Sequence, residues 1–191
     1  MKVVAINGSA RKKGNTAILL NKVLDELKGA GIRTELVQLS GKPVQGCIAC
    51  YKCFKNKDMK CSVTKDIVNT LISKMLEADG ILLGSPTYFS NVSASMKALI
   101  ERAGMVARAN GDMFKHKVGA GVVAVRRAGA THVFSSLNYF FLIGQMIIPG
   151  SNYWNMALGK DPGDVLKDKE GLNTMKTLGQ NMAWLLNKIH S

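Results

Sequence analysis

Lys2 to Asn7 opens the chain as a Val-rich apolar run that stops at Gly8-Ser9, and from Thr16 the residues Ile18, Leu19, Val23, Leu24 and Leu27 recur at helical spacing. Strand, loop and helix are therefore expected in that order. Gly29 and Gly31 punctuate the helix end, and Ile32 to Leu39 alternates apolar with polar residues, as a strand at a sheet edge would. Gly41 to Lys65 has no sustained apolar period and reads as a long loop. Helical spacing resumes over Asp66 to Leu76. Gly80 to Gly84 is an apolar strand closed by Ser85-Pro86, with a helix over Ser95 to Gly104. Val118 to Val125 predicts a buried strand, Ala130 to Ile143 an apolar helix and Met146 to Ile148 a short strand ended by Pro149-Gly150. Leu172 to Ile189 closes the chain as an amphipathic helix.

Strands that alternate with helices and are apolar on both faces argue for an α/β fold, a parallel sheet covered on each side. Ligands of such sheets sit at the carboxyl ends of the strands. The loops Gly8 to Thr16, Ser85 to Ser95 and Arg126 to Ala130 leave those ends and should line one pocket. With 191 residues, 47% hydrophobic and 20% charged, and no repeat or linker, residues 1–191 read as one domain with a cysteine-rich insertion at 41–65. The opening apolar run is too short for a secretory signal, so a cytoplasmic protein is expected. No apolar stretch approaches the roughly 20 residues that cross a bilayer, so no membrane partner is expected either.

The first loop, Gly8-Ser9-Ala10-Arg11-Lys12-Lys13-Gly14-Asn15-Thr16, delivers the chain from a buried strand into a helix N-terminus. Converging backbone N–H groups, the helix dipole, hydroxyls and basic side chains together suit an anion. The loop lacks the Gly-Lys-Ser/Thr ending of a P-loop and the G-x-G-x-x-G of a dinucleotide site, which leaves a terminal monophosphate as the fitting ligand. The plainer alternative is that Ser9, Asn15 and Thr16 only cap the helix.

Gly8-Ser9-x-Arg11 with Asn15-Thr16, followed by Ser85-Pro86-Thr87-Tyr88, resembles the NADPH-dependent FMN reductase family over nearly the whole chain. The resemblance implies a flavodoxin-like, doubly wound, five-stranded parallel sheet with helices on both faces. It also implies that Ser9, Arg11, Asn15 and Thr16 hold the FMN phosphate. Pro86, Thr87, Tyr88 and Phe89 would border the isoalloxazine, with Arg126 and Gly129 in a third flavin loop. An aromatic pair beside a tight turn can pack a flat ring, or can serve ordinary helix-to-sheet packing.

Cys47, Cys50, Cys53 and Cys61 form C-x2-C-x2-C-x7-C. Three thiols at intervals of three on a turning backbone, with a fourth from the far side, suit the corners of a 4Fe-4S cluster. Structural zinc more often takes paired hairpins or histidine, and unmetallated thiols forming a redox pair are the plain alternative. The loop resembles that of the iron-sulfur flavoproteins of anaerobic microbes. That resemblance implies an oxidoreductase passing electrons from a ferredoxin-like carrier through the cluster to FMN, in a homodimer or homotetramer, with no catalytic acid–base side chain required. An NAD(P)H-dependent FMN or quinone reductase without a cluster is the second reading.

The net charge of +13 favours an anionic partner. Lys52, Lys55, Lys57, Lys60 and Lys65 surround the cysteines against Asp58 and Asp66 only, a pattern that steers an acidic electron carrier or offsets the cluster's own charge. The basic residues are spread along the chain without a nucleic-acid reading motif, so no nucleic-acid partner is expected.

Overall fold

The computed structural model describes residues 1–190. Its strands are β1 (Lys2–Asn7), β2 (Arg33–Gln38), β3 (Gly80–Pro86), β4 (Val118–Val125) and β5 (Met156–Leu158), all parallel, in the order β2-β1-β3-β4-β5. This is the flavodoxin-like doubly wound order, and β2 takes the edge its alternating pattern predicts. The helices are α1 (Asn15–Gly29), α2 (Lys52–Asn56), α3 (Val68–Glu77), α4 (Ala94–Ala109), α5 (Ala130–Ile143) and α6 (Lys169–Ile189), with a 3-10 turn at Asp164–Lys167.

The period-two alternation of the strands divides the core in two. Val3, Ala5, Leu82, Ala120 and Val122 pack under α1 and α6, while Val4, Ile6, Ile81, Leu83 and Val123 pack under α3, α4 and α5. On β4, Gly119 and Gly121 occupy the second face, where an added Cβ would lie 2.5 Å from the Phe141 ring and 3.1 Å from Leu137. Their missing side chains let α5 lie close against the strand.

The fifth strand is not where the apolar run predicts it. Ile147 forms only an isolated bridge with Val118, and β5 pairs Met156–Leu158 with Val123–Val125 instead. Pro149 has no N–H to extend a ladder, so the chain leaves the start of β4, loops out through Tyr153 and Trp154, and returns at the strand's carboxyl end. Two helices also begin earlier than their periodicity shows, because Ser93 and Asp168 cap them by accepting from Met96 N and Gly171 N. Gly41 to Lys65 is irregular apart from α2. No helix among the described residues is long and apolar enough to cross a membrane.

Gly119→Ala should overpack the α5 face and cost about 1–3 kcal/mol. Chemical denaturation reads this as a lower midpoint; an unchanged midpoint would mean that α5 tolerates a side chain beneath it.

Candidate functional site

The strand order reverses between β1 and β3, where the chain winds outward to opposite edges of the parallel sheet, and the loops leaving their carboxyl ends are drawn together there. Gly8 N–H donates to the Gly84 carbonyl at 2.8 Å, and Ser93 Oγ donates to the Gly8 carbonyl at 2.7 Å. Ser93 N–H in turn donates to Ser85 Oγ at 3.0 Å, so through its two bonds Ser93 ties the end of β3 to the loop after β1. Thr87 N–H donates to the Ala124 carbonyl at 2.8 Å and brings in the end of β4.

A cavity of about 220 Å³ opens between them, lined by Ser9, Arg11, Asn15, Thr16, Pro86, Thr87, Tyr88, Ala124, Arg126, Gly159 and Lys160. The three predicted loops thus meet at one cavity. Gly14 precedes α1 without any side-chain cap, so the helix's first-turn amides are not capped by Ser9, Asn15 or Thr16. Arg11, Arg126 and Lys160 supply positive charge, and no carboxylate lines the cavity. Thr87 Oγ1 is buried without a hydrogen-bond partner. A buried unpaired hydroxyl, beside uncapped amides and cations, fits an anionic, oxygen-rich ligand.

Individual residues divide by role. Ser9 Oγ accepts from Arg11 N–H at 3.1 Å and so shapes the turn, while Arg11 Nη1 reaches the Lys160 carbonyl at 3.1 Å. Asn15 donates to the Asp161 carbonyl and accepts from Gly163 N–H, both at 2.9 Å, so its amide frames the cavity through the loop after β5. Tyr88 and Asn91 exchange backbone hydrogen bonds of 3.0 and 2.9 Å around a turn whose central residues, Phe89 and Ser90, both have positive φ. Phe89 is fully exposed at this tip, outside the cavity lining. Gly129, at φ +87°, sits where a Cβ would lie 2.5 Å from Ser90 Oγ, so only glycine lets the third loop close on this turn. Gly159 and Lys160 escape a reading of the sequence because the short β5 before them does. Ser93 had a visible signal, a serine just ahead of an apolar helical run.

The four cysteines line a second, small cavity of about 20 Å³, together with Ser62, Arg102 and Met105. No group of three or more His, Cys, Asp or Glu among the described residues is arranged to hold a metal ion. What fits a cluster is the donor chemistry, four cysteines free of disulfides lining a common space with no imidazole or carboxylate among the lining residues. Ala49, Tyr51, Lys57 and Met59 all adopt positive φ, which turns the backbone sharply between the cysteines.

Polar anchors hold the loop in this shape. Asn69 accepts from Cys61 N–H at 2.8 Å and donates to its carbonyl at 2.9 Å, and Asn110 accepts from Met59 N–H at 3.1 Å. Glu101 accepts from Cys47 N–H at 3.3 Å. Arg102 is buried in the loop's base and pairs with Asp66, which the charge pattern assigns to the lysines instead. Burial opposes ionisation of Asp66, yet the Arg102 guanidinium and the amides of Gln45 and Val68 hold its pKa below the ordinary value. The Ser62 hydroxyl, 3.2 Å from Cys50 Sγ, and then the Lys52 amide lower the Cys50 thiol's pKa, whereas burial first of all raises that of Cys53.

A groove of about 770 Å³ is lined by Cys47 and Tyr51 of the cysteine loop together with Asn91, which closes the Tyr88–Asn91 turn, and Val92 after it.

Comparison with known proteins gives the class. The model for the NADPH-dependent FMN reductases matches residues 1–161, and the chain belongs to that family of flavin-dependent oxidoreductases, with FMN as the cofactor. Within the family it is similar to an iron-sulfur flavoprotein of Methanocaldococcus jannaschii, 39% identical over 190 residues and 96% of each chain. An iron-sulfur flavoprotein of Archaeoglobus fulgidus is 35% identical over 95% of this chain and 94% of its own. Among solved structures, RosB with a bound riboflavin-phosphate intermediate shares the fold at TM-score 0.79 and 17% identity, covering 100% of this chain and 80% of its own. An NAD(P)H:quinone oxidoreductase from Methanothermobacter marburgensis does so at TM-score 0.70 and 14% identity, over 95% and 96%.

In cluster-free protein at neutral pH, Cys50, exposed and with its thiolate favoured, should be alkylated by iodoacetamide ahead of Cys53. Peptide mass spectrometry after brief exposure measures the order, and equal or reversed labelling would contradict the assigned environments.

Proposed function

We propose that the chain is an iron-sulfur flavoprotein in which Cys47, Cys50, Cys53 and Cys61 hold a 4Fe-4S cluster, and electrons pass from an acidic, ferredoxin-like carrier through that cluster to FMN and on to an acceptor. The observation that carries this reading is that all four cysteines line one cavity whose neighbouring groove runs to the flavin-side turn. When bound, the two groups supply one-electron and two-electron chemistry respectively, and the protein supplies position and electrostatics.

The uncapped start of α1, Ser9, Arg11 and Thr16 would take the FMN phosphate, with Asn15 bracing the wall behind them. The cavity is smaller than the ~300 Å³ at which whole-ligand pockets begin, which suits the phosphate end with the ring at the rim formed by Pro86, Thr87, Tyr88 and Arg126. Gly129 would bring backbone close to that ring, and Phe89 would reach it only by a movement of its turn. Five exposed lysines around the cysteines, Lys52, Lys55, Lys57, Lys60 and Lys65, support docking of an acidic carrier. The exposed apolar side chains Tyr139, Leu142 and Ile143 on α5 support an assembly of two or four chains. Unpaired thiols suit a cytoplasmic setting.

The second reading, an NAD(P)H-dependent FMN or quinone reductase without a cluster, is favoured by the small volume between the cysteines. Purification without oxygen, a visible spectrum and assays of iron, sulfide and FMN per chain separate the two. Iron and sulfide alongside FMN support the cluster reading, and FMN with negligible iron overturns it. Cys50→Ala should then remove iron and spare the flavin. Arg11→Ala should weaken FMN retention about tenfold or more, the scale of a lost charge-assisted hydrogen bond. Equilibrium dialysis or fluorescence titration measures the latter, and unchanged affinity would remove Arg11 from the phosphate site.

A further inference from the structure

Arg102 on α4 is 1% exposed, and its whole guanidinium is committed to the cysteine loop. Nε donates to Cys61 Sγ at 3.2 Å, Nη1 donates to the Gln45 carbonyl at 3.1 Å and to the Asp66 carboxylate, and Nη2 donates to the Val63 carbonyl at 2.6 Å. A merely structural clamp would need the three oxygen acceptors. The fourth bond, to sulfur, falls on a residue of the cysteine motif.

We propose that Arg102 is a positioning residue for the cluster, orienting the Cys61 sulfur and setting the cluster's reduction potential through the N–H···S bond and the balance of its charge against Asp66. This rests on the iron-sulfur reading above. A thiolate-ligated cluster becomes more negative when it gains an electron, so a buried cation donating to a ligand sulfur stabilises the reduced form and raises the potential. Asp66, on the same guanidinium, opposes that field. The two side chains are 0% and 3% exposed, so water screens neither strongly. Lysine cannot replace the arrangement, because a single ammonium lacks the planar fork that serves sulfur and three oxygens at once.

The pair therefore has a signature of opposite signs. Wild type, Arg102→Gln, Arg102→Lys and Asp66→Asn are purified without oxygen as holoproteins, iron and FMN are counted per chain, and the cluster is titrated electrochemically. FMN content reports intact folding. Arg102→Gln should lower the cluster potential by about a tenfold change in the reduction equilibrium, ~59 mV for a one-electron couple. Asp66→Asn should raise it, and Arg102→Lys should fall between Arg102→Gln and wild type. Iron-loaded Arg102→Gln and Asp66→Asn with the wild-type potential, or shifted in the same direction, overturn the proposal. Should Arg102→Gln shed its iron, Asp66→Asn decides: a raised potential supports the assignment and an unchanged one overturns it. A wild-type chain that binds FMN without iron removes the cluster reading, and this inference with it, a result distinct from iron-loaded variants that do not shift.

Discussion

Where β1 and β3 end side by side, two backbones must turn out of the sheet in a gap too narrow for side chains. A Cβ on Gly8 would lie 2.9 Å from Met96 Cβ and Ser93 Oγ, and one on Gly84 would lie 2.6 Å from Leu20. Their absence permits the direct Gly8 to Gly84 backbone bond, and Ser93 locks it while also capping α4. This junction brings the start of α1, Thr87 and the end of β4 to one cavity. The shape of this candidate flavin cavity depends on that steric constraint as much as on any charged residue.

α4 links that junction to the cysteine loop. Its cap, Ser93, holds the flavin-side loops, its middle residues Glu101 and Arg102 hold Cys47 and Cys61, and Asn110 at its far end holds Met59. The loop leaves Ile48, Tyr51, Phe54 and Met59 exposed and holds four non-glycine residues in left-handed conformations, so polar anchoring has to supply much of its order. Breaking one half of a buried ion pair such as Arg102–Asp66 costs about 3–5 kcal/mol, which is enough to dominate the conformation of a short irregular segment. One helix thus keeps both candidate redox sites in fixed relation.

Strands and helices with a strong local period were legible: β1, α1, β3, β4 and α5 stand close to where apolar spacing puts them, because each signal lies in consecutive residues. The β5 triplet Met156–Leu158 was not, since three residues carry no period and its pairing is set by the far end of β4. Missing it hid Gly159 and Lys160. Phe89 read as a partner for a flat ring, yet the turn it occupies points it to solvent. Arg102 had a faint signal, a charged residue in phase with Leu99 and Val106 on the buried stripe of its helix, but nothing local names the sulfur it meets.

The order of amino acids alone determined the alternation of strands and helices, the capacity of the first loop for an anion and the presence of four soft donors in one segment, because these are properties of neighbouring residues. Only the tertiary structure decided that Asp66 serves Arg102 rather than the lysines, that Asn15 braces a loop some 150 positions away, and that the Thr87 hydroxyl is buried and unpaired beside the cavity. Hydrogen bonds and steric exclusion act across a few ångströms of space, and which residues share those ångströms is settled by packing the whole sheet.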